Sequence, residues 1–330
     1  MVRESDHAAV PTAPSDPTPG GAVAPGAVPI DPDGPITGPT AELTAEVAER
    51  VGSAREAAWI VEHVAGRPGG SGDPASVRGA ALALADRRTA GEPLQYVLGT
   101  WQFRRLELAV DRRVLIPRPE TEQVVEVALV ELARIGAGRP GGGDPVVCAD
   151  LGTGSGAIAL SLAVEGPGAA AGPLEVWATD RSADALDVAR ANLDALSLAD
   201  PTAAARVTLS EGSWFDALPD RLAARVDLVV SNPPYVAEAE YSGLDPGVRD
   251  WEPPGALVAR RGGSGVAGLA DVEAVVAGAA RWLGPSGALV VELAPSQAYA
   301  AIDLARRAGF SRVGTARDLA GRMRMLVAGR

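Results

Sequence analysis

Apolar positions recur at helical spacing over Leu43, Val47 and Val51, and again over Ala57, Ile60, Val61 and Val64, which predicts short amphipathic helices. Gly66 to Pro74 is rich in helix breakers, and Val77, Ala81, Leu84 and Ala85 resume the period as far as Arg88. From Gly99 to Leu115 the pattern changes to alternation, with Phe103, Leu106, Leu108 and Val110 as the apolar positions, so a pair of strands in a hairpin is expected. Thr121 to Ile135 reads as an amphipathic helix, and Gly136 to Pro145 as a Gly/Pro loop.

Strand and helix then alternate. Val146–Ala149, Leu174–Thr179, Val207–Leu209, Val226–Val230 and Ala288–Leu293 are short apolar runs, expected as buried parallel strands. Ala157–Val164, Asp184–Leu196 and Asp271–Leu283 are the helical patterns between them, and Glu165–Pro173 reads as a surface loop. Phe310–Gly314 and Met323–Ala328 would complete seven strands. The expected fold is a doubly wound α/β sheet with a small helical domain before it. The boundaries follow the pattern: a Pro/Ala/Gly-rich disordered tail over 1–40, a helical domain over 41–98, a hairpin linker over 99–116 and the α/β domain over 117–330.

Composition narrows the possible partners. With 330 residues, 47% of them hydrophobic, the chain can bury a large core. All 30 basic residues are arginine and the formal net charge is −12, which argues against a surface that tracks nucleic-acid phosphates. The single cysteine, Cys148, excludes an internal disulfide and fits a reducing compartment. Met1–Val10 is charged and lacks the apolar run of a signal peptide, and no stretch is long and apolar enough to span a bilayer. A cytoplasmic monomer is expected. Neither His7 nor His63 sits near a candidate site, and neither histidine nor cysteine spacing suggests a metal.

Four strand ends carry the candidate chemistry. Asp150-Leu151-Gly152-Thr153-Gly154-Ser155-Gly156 follows the first sheet strand and precedes an apolar helix. Its glycines permit a tight turn and close backbone approach, with N–H groups at a helix N-terminus directed at a ligand. The G-x-G-x-G spacing differs from the G-x-G-x-x-G of dinucleotide enzymes and fits the methionine end of S-adenosylmethionine. Asp180 ends the second strand, where a carboxylate can accept hydrogen bonds from both ribose hydroxyls. Trp214, in Gly212-Ser213-Trp214-Phe215 after the third strand, stands where adenine would lie.

Ser231-Asn232-Pro233-Pro234-Tyr235 closes the fourth strand. Alone, such a string is usually an ordinary turn. At the switch-point side of this sheet it becomes a cage of acceptors: the prolines remove two donors, and the Asn232 carboxamide oxygen and Pro233 carbonyl can each accept one hydrogen of a planar –NH2 group. Tyr235 would supply a flat apolar wall. An amide nitrogen is a poor nucleophile because its lone pair is delocalised, and such a grip favours attack without a strong base.

These residues resemble the HemK/PrmC family of glutamine amide methyltransferases, from about Ala54 to the C-terminus. Gly91-Glu92-Pro93-Leu94-Gln95-Tyr96-Val97-Leu98-Gly99 is similar to the family's segment closing its helical domain. Val114-Leu115-Ile116-Pro117-Arg118-Pro119-Glu120-Thr121-Glu122 is similar to its interdomain signature, and Val248-Arg249-Asp250-Trp251-Glu252-Pro253 to a stretch near the substrate side. The resemblance implies a class I S-adenosylmethionine-dependent fold. It implies cofactor contacts from Asp150, Gly152, Thr153, Gly154, Ser155, Gly156, Asp180, Trp214 and Asn232, and an acceptor glutamine held by Asn232, Pro233, Pro234 and Tyr235, with catalysis carried by Asn232, Pro233 and Tyr235. The implied substrate is the glutamine of the Gly-Gly-Gln tip of class-1 peptide release factors, positioned with help from the helical domain. Two departures stand out: Ser213 replaces the acidic residue that relatives usually carry beside the tryptophan, and the Pro/Ala-rich tail has no counterpart. Rival readings are a nucleic-acid amino-methyltransferase, which would need a basic groove or target-reading domain, a non-catalytic scaffold, and a nicotinamide dehydrogenase, which the loop spacing disfavours.

Overall fold

The computed structural model describes residues 39–66, 73–139, 143–170, 172–260 and 265–330. The expected tail lies outside these apart from residues 39 and 40, as do His7 and most of the Gly66–Pro74 loop.

Four helices come first: α1 (Pro39–Val51), α2 (Ala54–Ala65), α3 (Pro74–Thr89) and α4 (Leu94–Leu98). The starts of α2 and α3 are chemically marked. The Ser53 hydroxyl accepts from the Glu56 amide, and the Asp73 carboxylate from the Ser76 amide with Pro74 in the first helical position, so amides without a helical partner are satisfied. Gly99 ends α4 with φ 76°, a left-handed conformation that favours glycine. Val47, Ile60, Val61, Ala81, Ala85 and Leu94 bury against one another as a core of their own.

The hairpin follows as β1 (Thr100–Phe103) and β2 (Leu106–Ala109), paired antiparallel with Phe103 opposite Leu106. Arg104 turns the corner with φ 52°. It is fixed there because its guanidinium grips Glu165 through two 2.7 Å bonds while its amide donates to Glu122.

The remaining elements are α5 (Pro119–Ala137), β3 (Val146–Leu151), α6 (Ala157–Ala170), β4 (Leu174–Asp180), α7 (Ala183–Ala199), α8 (Pro201–Ala204), β5 (Val207–Glu211), β6 (Val226–Ser231), α9 (Pro246–Arg249), α10 (Pro254–Leu257), α11 (Ala270–Trp282), β7 (Leu283–Glu292), α12 (Ala298–Arg307), β8 (Arg312–Arg317) and β9 (Met323–Gly329). Seven strands form one sheet in the order β5-β4-β3-β6-β7-β9-β8. Neighbours are parallel except β9, which is antiparallel to both β7 and β8. Strand order reverses between β3 and β6, so the loops leaving those two strands diverge and open a crevice at their carboxyl ends. β3 and β6 are buried along their whole length, between one apolar layer with α5 and α6 and another with α11 and α12, which explains their mainly apolar sequences; Asp227, the charged exception within β6, accepts from the Val147 amide and the Arg139 guanidinium.

Three expectations need correction. Glu165–Pro173 is largely not a loop: α6 continues to Ala170 through Pro167. A helical proline strands the carbonyl four residues back, and here that carbonyl, on Ala163, accepts from the Arg206 guanidinium at 3.0 Å. Val207–Leu209 is an edge strand with only Val207 buried, not a buried one. The strand expected at Ala288 begins at Leu283, which pairs with Val226 ahead of an irregularity in the β6–β7 ladder.

Candidate active site

The glycine loop leaves β3 and is pinned from three sides. The Gly152 and Thr153 amides both donate to the Thr179 carbonyl at 2.8 and 2.9 Å, and the Gly156 amide to the Thr153 carbonyl. The Gly154 amide donates to Asp180 Oδ2 at 2.9 Å, and the Ser155 carbonyl accepts from Asn192, which also clamps both backbone groups of Ala109 on the hairpin. Four amides expected to face a ligand are thus engaged within the protein, because the turn folds back on its neighbour strand. What the loop offers instead is room for close approach at one position: Gly154, at φ 55°, has open space where a Cβ would stand.

Asp180 faces this loop. Its Oδ2 holds Gly154 and its Oδ1 accepts from the Ser182 amide at 2.9 Å. Each carboxylate oxygen keeps a lone pair for one further donor, the capacity a ribose diol requires. Trp214 adopts φ 52°, an unfavourable left-handed conformation for a bulky side chain, and its ring lies 3.4 Å from where a Gly152 Cβ would be. The Arg260 guanidinium stands 5.7 Å from that ring.

One cleft is lined by Gly152, Thr153, Gly154, Ser155, Asp180, Trp214, Asn232 and Pro234, together with Ser213. Asp150 and Gly156 do not line it. Asp150 is fully buried behind the loop, where Oδ2 accepts from the Thr153 hydroxyl at 2.7 Å and the Ala159 amide at 3.1 Å, while Oδ1 has no partner among the described residues. Burial pushes its carboxyl up to about 7 against those two donors. It holds the loop's shape from beneath. Pro233 is buried and likewise absent from the lining. The Tyr235 hydroxyl donates to Glu292 Oε1 at 3.4 Å, outside the cleft, and burial followed by the Glu292 charge pushes its phenol up to about 12, so it stays protonated.

Asn232 stands where β6 ends, one residue beyond the Ser231–Val291 pair and so beside Glu292. Its Nδ2 donates to Thr121 Oγ1 at 3.1 Å, and the Thr121 hydroxyl donates to Glu292 Oε2 at 2.8 Å. With the amino end of the carboxamide turned into the protein, Oδ1 is the end left to the cleft that Asn232 lines. Sequence reasoning did not single out Thr121 or Glu292 as site residues. Each left a trace, however: Thr121 belongs to the interdomain signature, and Glu292 is a carboxylate within the expected apolar run Ala288–Leu293. Arg113, Val114, Leu115, Pro117 and Asp271 also line the cleft.

The interdomain signature and the Val248–Pro253 stretch meet at Glu252. This buried carboxylate accepts from the Ile116 amide at 3.1 Å and pairs with the Arg118 guanidinium. Burial raises its affinity for a proton against the pull of Arg118. The neighbouring Trp251 ring carries the Arg112 guanidinium 3.9 Å from its centroid. Cys148 lies in β3 at zero exposure, with its thiol pushed up by burial, and is a core residue. Among the described residues no cluster of potential metal ligands occurs, and no helix is long and apolar enough to cross a membrane.

A seven-stranded sheet with this reversal, a glycine loop after β3, an acidic residue ending β4 and Asn-Pro-Pro-Tyr after β6 defines a class I S-adenosylmethionine-dependent methyltransferase. Residues 145–243 match the Methyltransferase small domain family. Two curated proteins named release factor glutamine methyltransferase are similar over most of the chain. That of Burkholderia pseudomallei is 43% identical over 74% of this chain and 79% of its own, and that of Bordetella pertussis is 42% identical over 81% and 91%. A solved methyltransferase structure from Pyrococcus furiosus is similar with TM-score 0.44 and 17% identity, covering 68% of this chain and 88% of that one. The chain belongs to the release factor glutamine methyltransferase family.

Proposed function

We propose that the protein methylates the side-chain amide nitrogen of the glutamine in the Gly-Gly-Gln tip of class-1 peptide release factors, using S-adenosylmethionine. One observation carries the reading: the Asn232 carboxamide is anchored through Nδ2, which leaves Oδ1 as an acceptor at a cleft that Gly152, Thr153, Gly154, Ser155 and Asp180 also line. The loop and Asp180 fit the cofactor, the first by its open space at Gly154 and the second by its spare lone pairs, and Trp214 would border the adenine. When bound, S-adenosylmethionine supplies a methyl group already activated by the sulfonium charge.

The protein's task is then alignment. The Asn232 Oδ1 accepts one hydrogen of the glutamine –NH2, drawing its lone pair out of conjugation and stabilising the positive charge that develops on nitrogen; Pro233 does not line the cleft, so its carbonyl would take the second hydrogen only where the bound amide reaches past Asn232. The released proton leaves past these oxygens to water, so the site needs no strong base. The helical segment 41–98 would help position the release factor, and the enzyme would act as a cytoplasmic monomer.

The test is direct. Methyl-labelled S-adenosylmethionine and a purified release factor are incubated with the protein, and the labelled peptide is mapped by mass spectrometry. Label on the Gly-Gly-Gln glutamine is the expected result; no label, or label on another residue type, would overturn the reading.

A further inference from the structure

Asn232 can place either end of its carboxamide toward the cleft, since oxygen and –NH2 differ little in size. Only the oxygen can accept from an acceptor amide, so something must fix the choice. The hydrogen bonds behind Asn232 have a direction. Thr121 has one hydroxyl proton and spends it on Glu292 Oε2, which leaves a lone pair to receive a hydrogen from Asn232 Nδ2. An ionised carboxylate can only accept, so the chain runs one way, from amide to hydroxyl to carboxylate.

We propose that Thr121 and Glu292 are positioning residues that set the polarity of the Asn232 carboxamide, with the buried Glu292 carboxylate acting as the terminal acceptor that keeps Oδ1 facing the substrate amide. This rests on the reading of Asn232 as the amide's acceptor. Glu292 is 1% exposed, and its second oxygen accepts from the Tyr235 hydroxyl, so the same carboxylate also ties down the last residue of the Asn-Pro-Pro-Tyr turn. The three elements involved converge by topology. Glu292 ends β7 beside the end of β6, and Thr121 lies in the first turn of α5.

The charged and titratable groups acting on Glu292 are Arg324 from β9, Glu120 from α5 and Tyr235 after β6. Burial pushes Glu292 up to about 7, against the Thr121 bond and the Arg324 charge. Protonation would turn the terminal acceptor into a donor. The Thr121 hydroxyl would then be free to donate toward Asn232 and would favour the flipped carboxamide, with –NH2 in the cleft. Activity is therefore expected to fall as pH drops through neutrality.

Four variants decide the matter, with kcat measured on a release factor and cofactor affinity measured by calorimetry. Thr121→Val, nearly isosteric, should lower kcat by about 10- to 100-fold at unchanged cofactor affinity, whereas Thr121→Ser should restore most of the rate. Glu292→Gln, whose amide can accept from Thr121 in one orientation, should keep part of the rate and lose the acid limb of the pH profile. A Thr121→Val enzyme within twofold of wild type, a Thr121→Ser enzyme as slow as Thr121→Val, or an unchanged acid limb in Glu292→Gln would overturn the proposal. If Thr121→Val also loses cofactor binding, the Glu292→Gln profile decides alone. Asn232→Ala separates the two levels. Full activity in that variant sinks the reading of Asn232 itself, while an inactive Asn232→Ala beside a fully active Thr121→Val sinks only the positioning role.

Discussion

Replacing Asp180 by alanine should weaken S-adenosylmethionine binding through two losses. The first is direct: a carboxylate that could accept from the ribose is removed, and a hydrogen bond to a charged group contributes about 1.5–3 kcal/mol. At about 1.4 kcal/mol per decade, Kd should rise roughly 10- to 150-fold. The second loss is organisational. Asp180 Oδ2 holds the Gly154 amide, and Oδ1 holds the Ser182 amide at the start of α7, so the variant also frees the loop at Gly154. Asp180→Asn separates the two. It keeps one acceptor oxygen but presents an –NH2 group to one of the two backbone amides, so it should bind more weakly than wild type and retain more affinity than alanine where the loop survives. Isothermal titration calorimetry measures both constants. A Kd for Asp180→Ala within threefold of wild type, with an unchanged melting temperature, would refute the assignment of Asp180 to the cofactor.

Two further outcomes test the scaffold. Gly268→Ala should slow methylation sharply: at φ 73° its Cβ would fall 2.3 Å from the Tyr235 carbonyl and 2.6 Å from the Gln297 amide nitrogen that donates to that carbonyl, and an unchanged rate would show that the turn tolerates displacement. Glu131→Gln should destabilise the protein most at neutral pH. Burial opposes ionisation of Glu131, but the Arg312 and Arg134 guanidiniums outweigh it and hold its carboxyl below the usual range. A depressed carboxylate stabilises above its unfolded pKa and loses that contribution as pH falls through the folded one. The gap in melting temperature between wild type and variant should therefore close below about pH 4, and a gap independent of pH would contradict the ion-pair account.

The parts of this fold readable from the chain are those whose environment is uniform. β3 and β6 are buried on both faces, so their sequences are mainly apolar, and α7 presents one apolar face to the sheet. Misreadings arose where a distant residue changes the local rule. Pro167 would break an isolated helix, and only Arg206, which takes the stranded Ala163 carbonyl, and Leu174, packed at Gly166, reveal why α6 continues. β5 carries the apolar residues of a strand yet sits at the edge of the sheet, a fact set by strand order.

The candidate site divides in the same way. Gly152, Gly154, Asp180, Trp214 and Asn232 follow strand ends, where topology alone brings them to one crevice. Asp150 belongs to the same loop motif, but its side chain turns inward, since a carboxylate at the end of a buried strand can reach the Thr153 hydroxyl and the Ala159 amide at the start of α6. The link from Asn232 through Thr121 to Glu292 spans 171 positions between its last two members, a pairing that no local pattern encodes. Glu252 is similar: it joins the Ile116–Arg118 segment to a stretch 134 residues later, so two sequence motifs become one buried contact.

The central claim is that the Asn232 carboxamide oxygen grips the amino group to be methylated. Its most direct test compares Asn232→Ala with the wild-type protein in a single-turnover methylation of a release factor, with both enzymes saturated in S-adenosylmethionine. A rate lower by about 100-fold or more, with cofactor affinity changed by only a modest factor, is the predicted result. Methyl transfer at the wild-type rate would contradict it.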